Sequence, residues 1–331
     1  MRLFRALVKT LAVVAVLAAA AGVYVAYAPY GDAAPHPFNQ NRNAVWLEHR
    51  WLEKAHSLEE MEQIFRFLDH HGIVYVYPHL IPFDSAGRLP LHNREQMRAF
   101  LATARRVAPA MKVLPWVGGL RVGYRRSKAG TLALGDLGQR QRIVAECRGL
   151  MDEGFDGIHV NIEPVANGDD EFLALLRALR TAVGTGTLSV STAKPGPFAL
   201  AIAPNFFWSP AYYGLVGDAV DQVVIMAYDS ALPTPGLYRR FVSYAASSVS
   251  GSFVGSARTR VLVGIPTYED HGLMHRKGVE TPENALAGVV AGLRGRTGGG
   301  TFEGVALYAE WTTDPEDWEM YERVWRGHTV P

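Results

Sequence analysis

The chain has 331 residues, 48% of them hydrophobic and 20% charged, which excludes wholesale disorder. Its 33 basic and 32 acidic residues leave a formal net charge of +1, and no basic patch runs through the order of residues, so nucleic acid is not an expected partner. The single cysteine, Cys147, excludes an internal disulfide and reads as a buried structural thiol.

Arg2, Arg5 and Lys9 precede an uncharged apolar run, Leu11–Ala28. About 18 residues rising ~1.5 Å each span roughly 27 Å, close to the ~30 Å hydrocarbon core. Positive charge before the run holds that end in the cytoplasm and sends the rest outward. Ala26-Tyr27-Ala28 has the small-x-small form of a cleavage site, but Pro29 follows it and disfavours the cut. Residues 1–28 therefore read as a signal anchor, with a cleaved signal peptide as the alternative. The expected location is the cell membrane, single-pass with an extracytoplasmic domain, or outside the cell if the segment is removed. Residues 29–42, rich in Pro, Ala and polar side chains, read as a linker.

From Asn43 onward, apolar β-branched strands alternate with segments of helical period. The expected strands are Ala44–Leu47, Ile73–Tyr77, Lys112–Trp116, Gly157–Glu163, Leu188–Thr192, Gln222–Ala227, Arg260–Ile265 and Gly304–Tyr308. The first expected helix starts at Ser57, with Glu60 three residues on as a capping box. Others cover Arg94–Arg106, Gly138–Glu153, Asp169–Ala182, Gly236–Val249, Pro282–Leu293 and Pro315–Arg326, while Asn205–Gly217 is aromatic and Pro-broken and predicts a short or irregular one. Eight such units predict an α/β fold, a single (β/α)8 TIM barrel over residues 43–331. A doubly wound open sheet would carry a Gly-rich turn after its first strand, and none follows Leu47.

Active sites of such barrels lie at the C-terminal ends of the strands. The fourth strand, Gly157-Ile158-His159-Val160-Asn161-Ile162-Glu163, alternates strictly. Ile158, Val160 and Ile162 are expected to face the helices, leaving His159, Asn161 and Glu163 inside, with Glu163 nearest the mouth.

The segment DGIHVNIE resembles the fourth-strand signature D-G-x-D-x-D-x-E of family-18 glycoside hydrolases, the chitinase-like barrels. Three further pieces fall in the family's order: Val117-Gly118-Gly119 resembles the end of S-x-G-G, Met226-Ala227-Tyr228-Asp229 matches M-x-Y-D, and Gly304–Tyr308 resembles the eighth strand, with Tyr308 where the family carries Trp. The resemblance implies a glycoside hydrolase acting on an N-acetylhexosamine polysaccharide or glycan outside the cytoplasmic membrane. It makes Glu163 the general acid/base, Asn161 the group that orients the substrate acetamide, and Tyr228 the donor to its carbonyl, with Met226 and Asp229 lining the same subsite. The family uses the substrate acetamide as nucleophile. His159 and Asn161 stand where the family has Asp, so a non-catalytic carbohydrate-binding barrel is the alternative.

Sugars stack their C–H faces on aromatic rings. Trp46, Trp116, Tyr268, Tyr308 and Trp311 fall at or past strand ends and are expected, with His159, to contact substrate; Tyr77 and Asn205-Phe206-Phe207-Trp208 are placed similarly. The expected partners are thus a carbohydrate and, through the N-terminal helix, a membrane. His271 and His275 have i, i+4 spacing but no helical pattern around them, and no metal or cofactor is expected.

Overall fold

The expected strands and helices form with shifts at their ends, except that the third strand is broken in its middle. A computed structural model describes the chain except residues 1, 33–34, 92, 122–130, 197–202, 204, 254–257, 271, 295–300 and 329–331, and residues 2–8 as backbone only. Helix α1 (Arg2–Tyr27) contains the span Lys9–Tyr27, which is long and apolar enough to cross a membrane, with mean hydropathy 2.1 and no buried residue. Beyond it, Tyr30 Oη lies 2.9 Å from Ser243 Oγ, and the His36 ring sits 4.7 Å from that of Trp325, so parts of the 29–42 segment lie against the barrel.

The barrel runs β1 (Asn43–Leu47), α2 (Arg50–Glu53), α3 (Leu58–His70), β2 (Ile73–Pro78), α4 (Arg94–Val107), β3 (Lys112–Val113), β4 (Trp116–Arg121), β5 (Thr131–Leu132) and α5 (Leu137–Glu153). It continues with β6 (Gly157–Glu163), α6 (Asp170–Val183), β7 (Thr187–Thr192), β8 (Lys194–Pro195), β9 (Phe207–Trp208), α7 (Pro210–Gly217), β10 (Gln222–Met226) and α8 (Pro235–Ser252). The last elements are β11 (Arg260–Pro266), α9 (Pro282–Leu293), β12 (Phe302–Tyr308) and α10 (Pro315–Tyr321), which runs into a π-helical turn at Glu322–Arg326.

Strand order is β3-β2-β1-β12-β11-β10-β7-β6-β4-β5, with parallel pairing throughout. β3 and β4 are two halves of the expected third strand, and so the sheet closes on itself as a barrel. The expected strand was continuous; it breaks because Pro115 has no N–H to give the ladder. β3 then pairs with β2, β4 pairs with β6, and a bridge from His79 to Trp116 spans the break.

Helix starts are written locally. Ser57 Oγ accepts from Glu60 N at 3.2 Å and Glu60 returns a carboxylate oxygen to Ser57 N at 2.8 Å, the expected capping box. α7, α8, α9 and α10 each begin with a side-chain cap, at Ser209, Thr234, Thr281 and Asp314, followed directly by proline.

Ile158, Val160 and Ile162 pack into the layer between strands and helices with Ile143, Leu150, Phe172 and Leu176, as alternation predicted. Inside the barrel a smaller apolar set, including Ala44, Trp46, Tyr77, Leu114, Val224 and Leu262, shares space with buried polar groups. Tyr77 donates to Gln222 at 2.6 Å and Tyr75 donates to Glu303 at 3.0 Å. Cys147 is wholly buried in α5, and burial pushes its thiol pKa up.

Candidate active site

Three strand ends converge on one cleft. β6 delivers Glu163, β10 delivers Met226 with Asp229 just beyond it, and the short strand β8, just past β7, delivers Lys194. Together with Leu120, Phe206, Trp208 and Met274 these line a cavity of about 340 Å³. A second cavity, of about 530 Å³, shares Asp229 and Met274 and is lined by Tyr268, Tyr308 and Trp311. Asp229 thus borders both the cavity that holds Glu163 and Met226 and the one lined by the three aromatics expected at the ends of the seventh and eighth strands.

β4 comes close enough to β6 to fix the depth of this cleft. Gly118 sits opposite Asn161 in the ladder, and a Cβ placed on it would lie 1.8 Å from the Asn161 carbonyl oxygen. The Asn161 side chain is half-buried, and its Oδ1 has no hydrogen-bond partner among the described residues. It is an acceptor without a donor, one residue deeper than Ile162 and two from Glu163.

Glu163 keeps open surface toward the cleft, yet the walls crowd its carboxyl. Burial is the largest influence and raises its pKa above the ordinary 4.5; Lys194 opposes the rise and Asp229 adds to it. Lys194 itself is held below its usual range by burial, against the pull of Asp229, Glu163 and Glu280. Tyr228 is buried, stacks on Tyr308 with ring centroids 5.1 Å apart, and has its pKa pushed well up by burial, so it remains a hydroxyl donor. Tyr268 donates its hydroxyl to Asp229 at 2.7 Å, and Asp229 adopts φ 53°, a left-handed conformation that turns the chain away from β10.

Two residues expected to contact substrate do not reach the cleft. His159 has no exposed surface: Trp46 Nε1 donates to its Nε2 at 3.2 Å, Ser189 Oγ lies 2.8 Å from its Nδ1, and its ring stacks on Tyr77 at 3.9 Å. The indole can only donate, so Nε2 accepts and Nδ1 carries the proton. Trp46 is 1% exposed and spends its N–H on this bond. Both side chains point inward from strands whose neighbours close over them. Trp116 is half-buried and stacks against His79, with centroids 4.0 Å apart.

Burial lowers the His159 pKa from 6.5 to about 3. The unfolded chain therefore binds a proton that the folded chain refuses between those values, and stability rises with pH across that window. His159→Leu is expected to remove this pH dependence. It also takes the ring away from the Trp46 N–H and from the hydroxyls of Ser189 and Ser191, at about 1–3 kcal/mol for each group left unpaired. Denaturant melts at pH 4 and pH 7 measure both effects, and an unchanged pH slope in the variant would place the titrating group elsewhere.

Lys194, Met274, His275 and Glu280 were not anticipated as site residues. Lys194 carried a usable signal, since it follows Thr192 at a strand end where barrel sites form. Glu280 carries none, and the spacing of His275 points only to His271, because their neighbour Asp229 is distant in sequence. His275 lies 3.8 Å from Asp229 and 3.6 Å from Glu280, while His271 is outside the described residues.

The model of the family "Glycosyl hydrolases family 18" matches residues 58–326. Among solved structures the fold is similar to that of the spore cortex-lytic enzyme SleL from Bacillus cereus, at 14% identity and TM-score 0.56, covering 86% of this chain and 74% of that one. It is similar also to a chitinase from Chromobacterium violaceum, at 16% identity and TM-score 0.55, covering 86% and 98%. A third likeness is to YKL-39, whose structures were solved in the presence of chitooligosaccharides, at 11% identity and TM-score 0.51, covering 88% and 96%. At these identities the likeness is one of fold. No curated protein sequence matches the chain.

Proposed function

The chain belongs to glycosyl hydrolases family 18, and from that membership we propose that it hydrolyses a polysaccharide or glycan containing N-acetylhexosamine, outside the cytoplasmic membrane, with Glu163 as general acid/base. The observation that carries this reading is the Glu163 carboxyl, which opens to a cleft while burial raises its pKa. A carboxylic acid kept protonated toward neutral pH can give its proton to a glycosidic oxygen.

In this mechanism the acetamide carbonyl oxygen of the substrate attacks the anomeric carbon as Glu163 protonates the departing oxygen. Asn161 Oδ1, which lacks a donor, accepts from the acetamide N–H. Tyr228 donates to the acetamide carbonyl. Water then opens the oxazolinium intermediate and returns a proton to Glu163. Asn161 is neutral where the family has Asp, so it orients the acetamide without balancing the positive charge. Tyr268, Tyr308 and Trp311 offer ring faces for adjacent sugars.

That neutral Asn161 also favours the second reading, a carbohydrate-binding barrel without catalysis. Incubating the purified protein with chitooligosaccharides, a released N-glycan and peptidoglycan separates the two, with products read by mass spectrometry and binding by calorimetry. Cleavage supports the hydrolase; binding with every substrate intact supports the lectin-like reading.

Tyr228→Phe keeps the ring against Tyr308 and removes the donor. It is expected to lower kcat about tenfold to a hundredfold with little change in KM, because the hydroxyl holds the acetamide carbonyl oxygen in position to attack the anomeric carbon. A rise in KM alone would make Tyr228 a binding group only.

The exported location rests on α1, whose apolar span suits an anchor or a signal. Membrane fractionation followed by N-terminal sequencing of the mature protein distinguishes anchor from cleaved signal.

A further inference from the structure

Asp229 has a second set of neighbours, apart from the cleft that holds Glu163. His275, in the segment after β11, and Glu280, just before α9, bring their side chains against it. His275 Nδ1 lies 3.8 Å from Asp229 Oδ1 and 3.6 Å from Glu280 Oε2, and the donor atoms of all three residues fall within 4.8 Å of one another.

Neighbouring groups hold this cluster in place from outside. Ser230 gives Glu280 Oε1 two hydrogen bonds, from its N–H at 3.0 Å and its hydroxyl at 2.9 Å. Tyr268 donates to Asp229 Oδ1 at 2.7 Å and lays its ring beside His275, with centroids 4.2 Å apart.

What faces inward is unsatisfied. The His275 side chain is 5% exposed, and neither ring nitrogen has a hydrogen-bond partner among the described residues. The Glu280 side chain is fully buried, and its Oε2 has none either. Buried polar atoms are ordinarily paired, so the unpaired His275 Nδ1 and Glu280 Oε2, 3.6 Å apart, indicate a missing partner between them.

An imidazolium sandwiched between carboxylates does not account for the arrangement. Both separations from Nδ1 exceed hydrogen-bonding range, so a hydrogen bond to either carboxylate is not what holds the three together.

We propose that Asp229, His275 and Glu280 bind a divalent transition-metal cation of the Zn2+ or Mn2+ class, with water completing its coordination. One imidazole and two carboxylates are the donor types such ions take. Bonds of ~2.0–2.2 Å set tetrahedral donors about 3.3–3.6 Å apart, so the two separations from His275 need close by only a few tenths of an ångström, while the two carboxylates, within 4.8 Å of each other, close by up to about 1.5 Å. The hydrogen bonds from Ser230 and Tyr268 are the outer contacts that orient metal-binding carboxylates. The two carboxylates also outweigh Lys194, the ammonium facing both of them. The ion would tie the segment after β11 to Asp229 in the cleft wall. This site does not depend on the catalytic role proposed for Glu163.

The test uses full-length protein in detergent, loaded with Zn2+ or Mn2+, dialysed and assayed by elemental analysis and calorimetry. About one tightly held equivalent is expected, with affinity at least tenfold weaker in Glu280→Gln and in His275→Ala. Circular dichroism checks that each variant is folded. Co2+ absorption on the unaltered protein gives a readout that needs no variant: strong visible bands report a low-coordinate site of nitrogen and oxygen donors. Metal lost on dialysis, equal affinity in both folded variants, or a Co2+ spectrum like that of the aqueous ion would each overturn the proposal.

Discussion

Glu163→Gln is expected to lower turnover about 10²–10⁴-fold while changing oligosaccharide affinity only slightly. The amide has the shape of the acid and fits the same cleft, but it has no proton to give the leaving oxygen. The pH profile follows from the direction of the pKa shift. Burial raises the Glu163 pKa above 4.5, so the acid form persists into less acidic solution, and kcat should fall as pH rises through the raised value. Stability carries the same signature. Between 4.5 and the raised value the folded state holds a proton that the unfolded state has released, so folding stability falls as pH rises through that window. The Gln variant lacks this loss, and its melting temperature relative to the native protein should increase with pH. Cleavage at the native rate by Glu163→Gln would assign the proton donor to another group.

Gly118→Ala is expected to be the most damaging single methyl group in the barrel. The added carbon would lie 1.8 Å from the backbone oxygen of Asn161, and backbone cannot swing aside as a flexible side chain can. β4 would have to move more than an ångström from β6, the strand that carries both Asn161 and Glu163. A cost above about 4 kcal/mol, or failure to accumulate folded protein, is expected. Gly149→Ala is the control: it lies in α5 with nothing within 4 Å of its added Cβ, and should be neutral or stabilise by up to about 1 kcal/mol. Comparable denaturant midpoints for the two variants would contradict the strand spacing described above.

The barrel was legible in the residues because its signals are local. Alternation within Gly157–Glu163 separated Ile158, Val160 and Ile162 from His159, Asn161 and Glu163, since neighbouring side chains on a strand point to opposite faces whatever surrounds them. Ser57 with Glu60 marks a helix start because a cap is formed by residues a few positions apart. Glu163 stands out as the last residue of a strand, where barrel sites gather, and Met226 and Asp229 stand out through the resemblance to M-x-Y-D; the three line one cavity. The break at Pro115 is also written locally, in a residue without an N–H, although the run around it is apolar.

Other features were settled only by closure of the sheet. Trp46 and Tyr308 both stand near strand ends, yet the first is buried beneath His159 and the second lines a cavity. How deep an inward side chain lies depends on the other strands of the barrel, and no single segment carries that information. Lys194 faces Glu163 because β7 and β6 are neighbours in the closed sheet. Asp229, His275 and Glu280 share no local pattern, and His275 suggested pairing with His271 because sequence spacing was the only distance available. The residues by themselves determined which faces are apolar and where strands end; the closed barrel decided which of those ends meet, because contact between distant segments is a property of the assembled sheet.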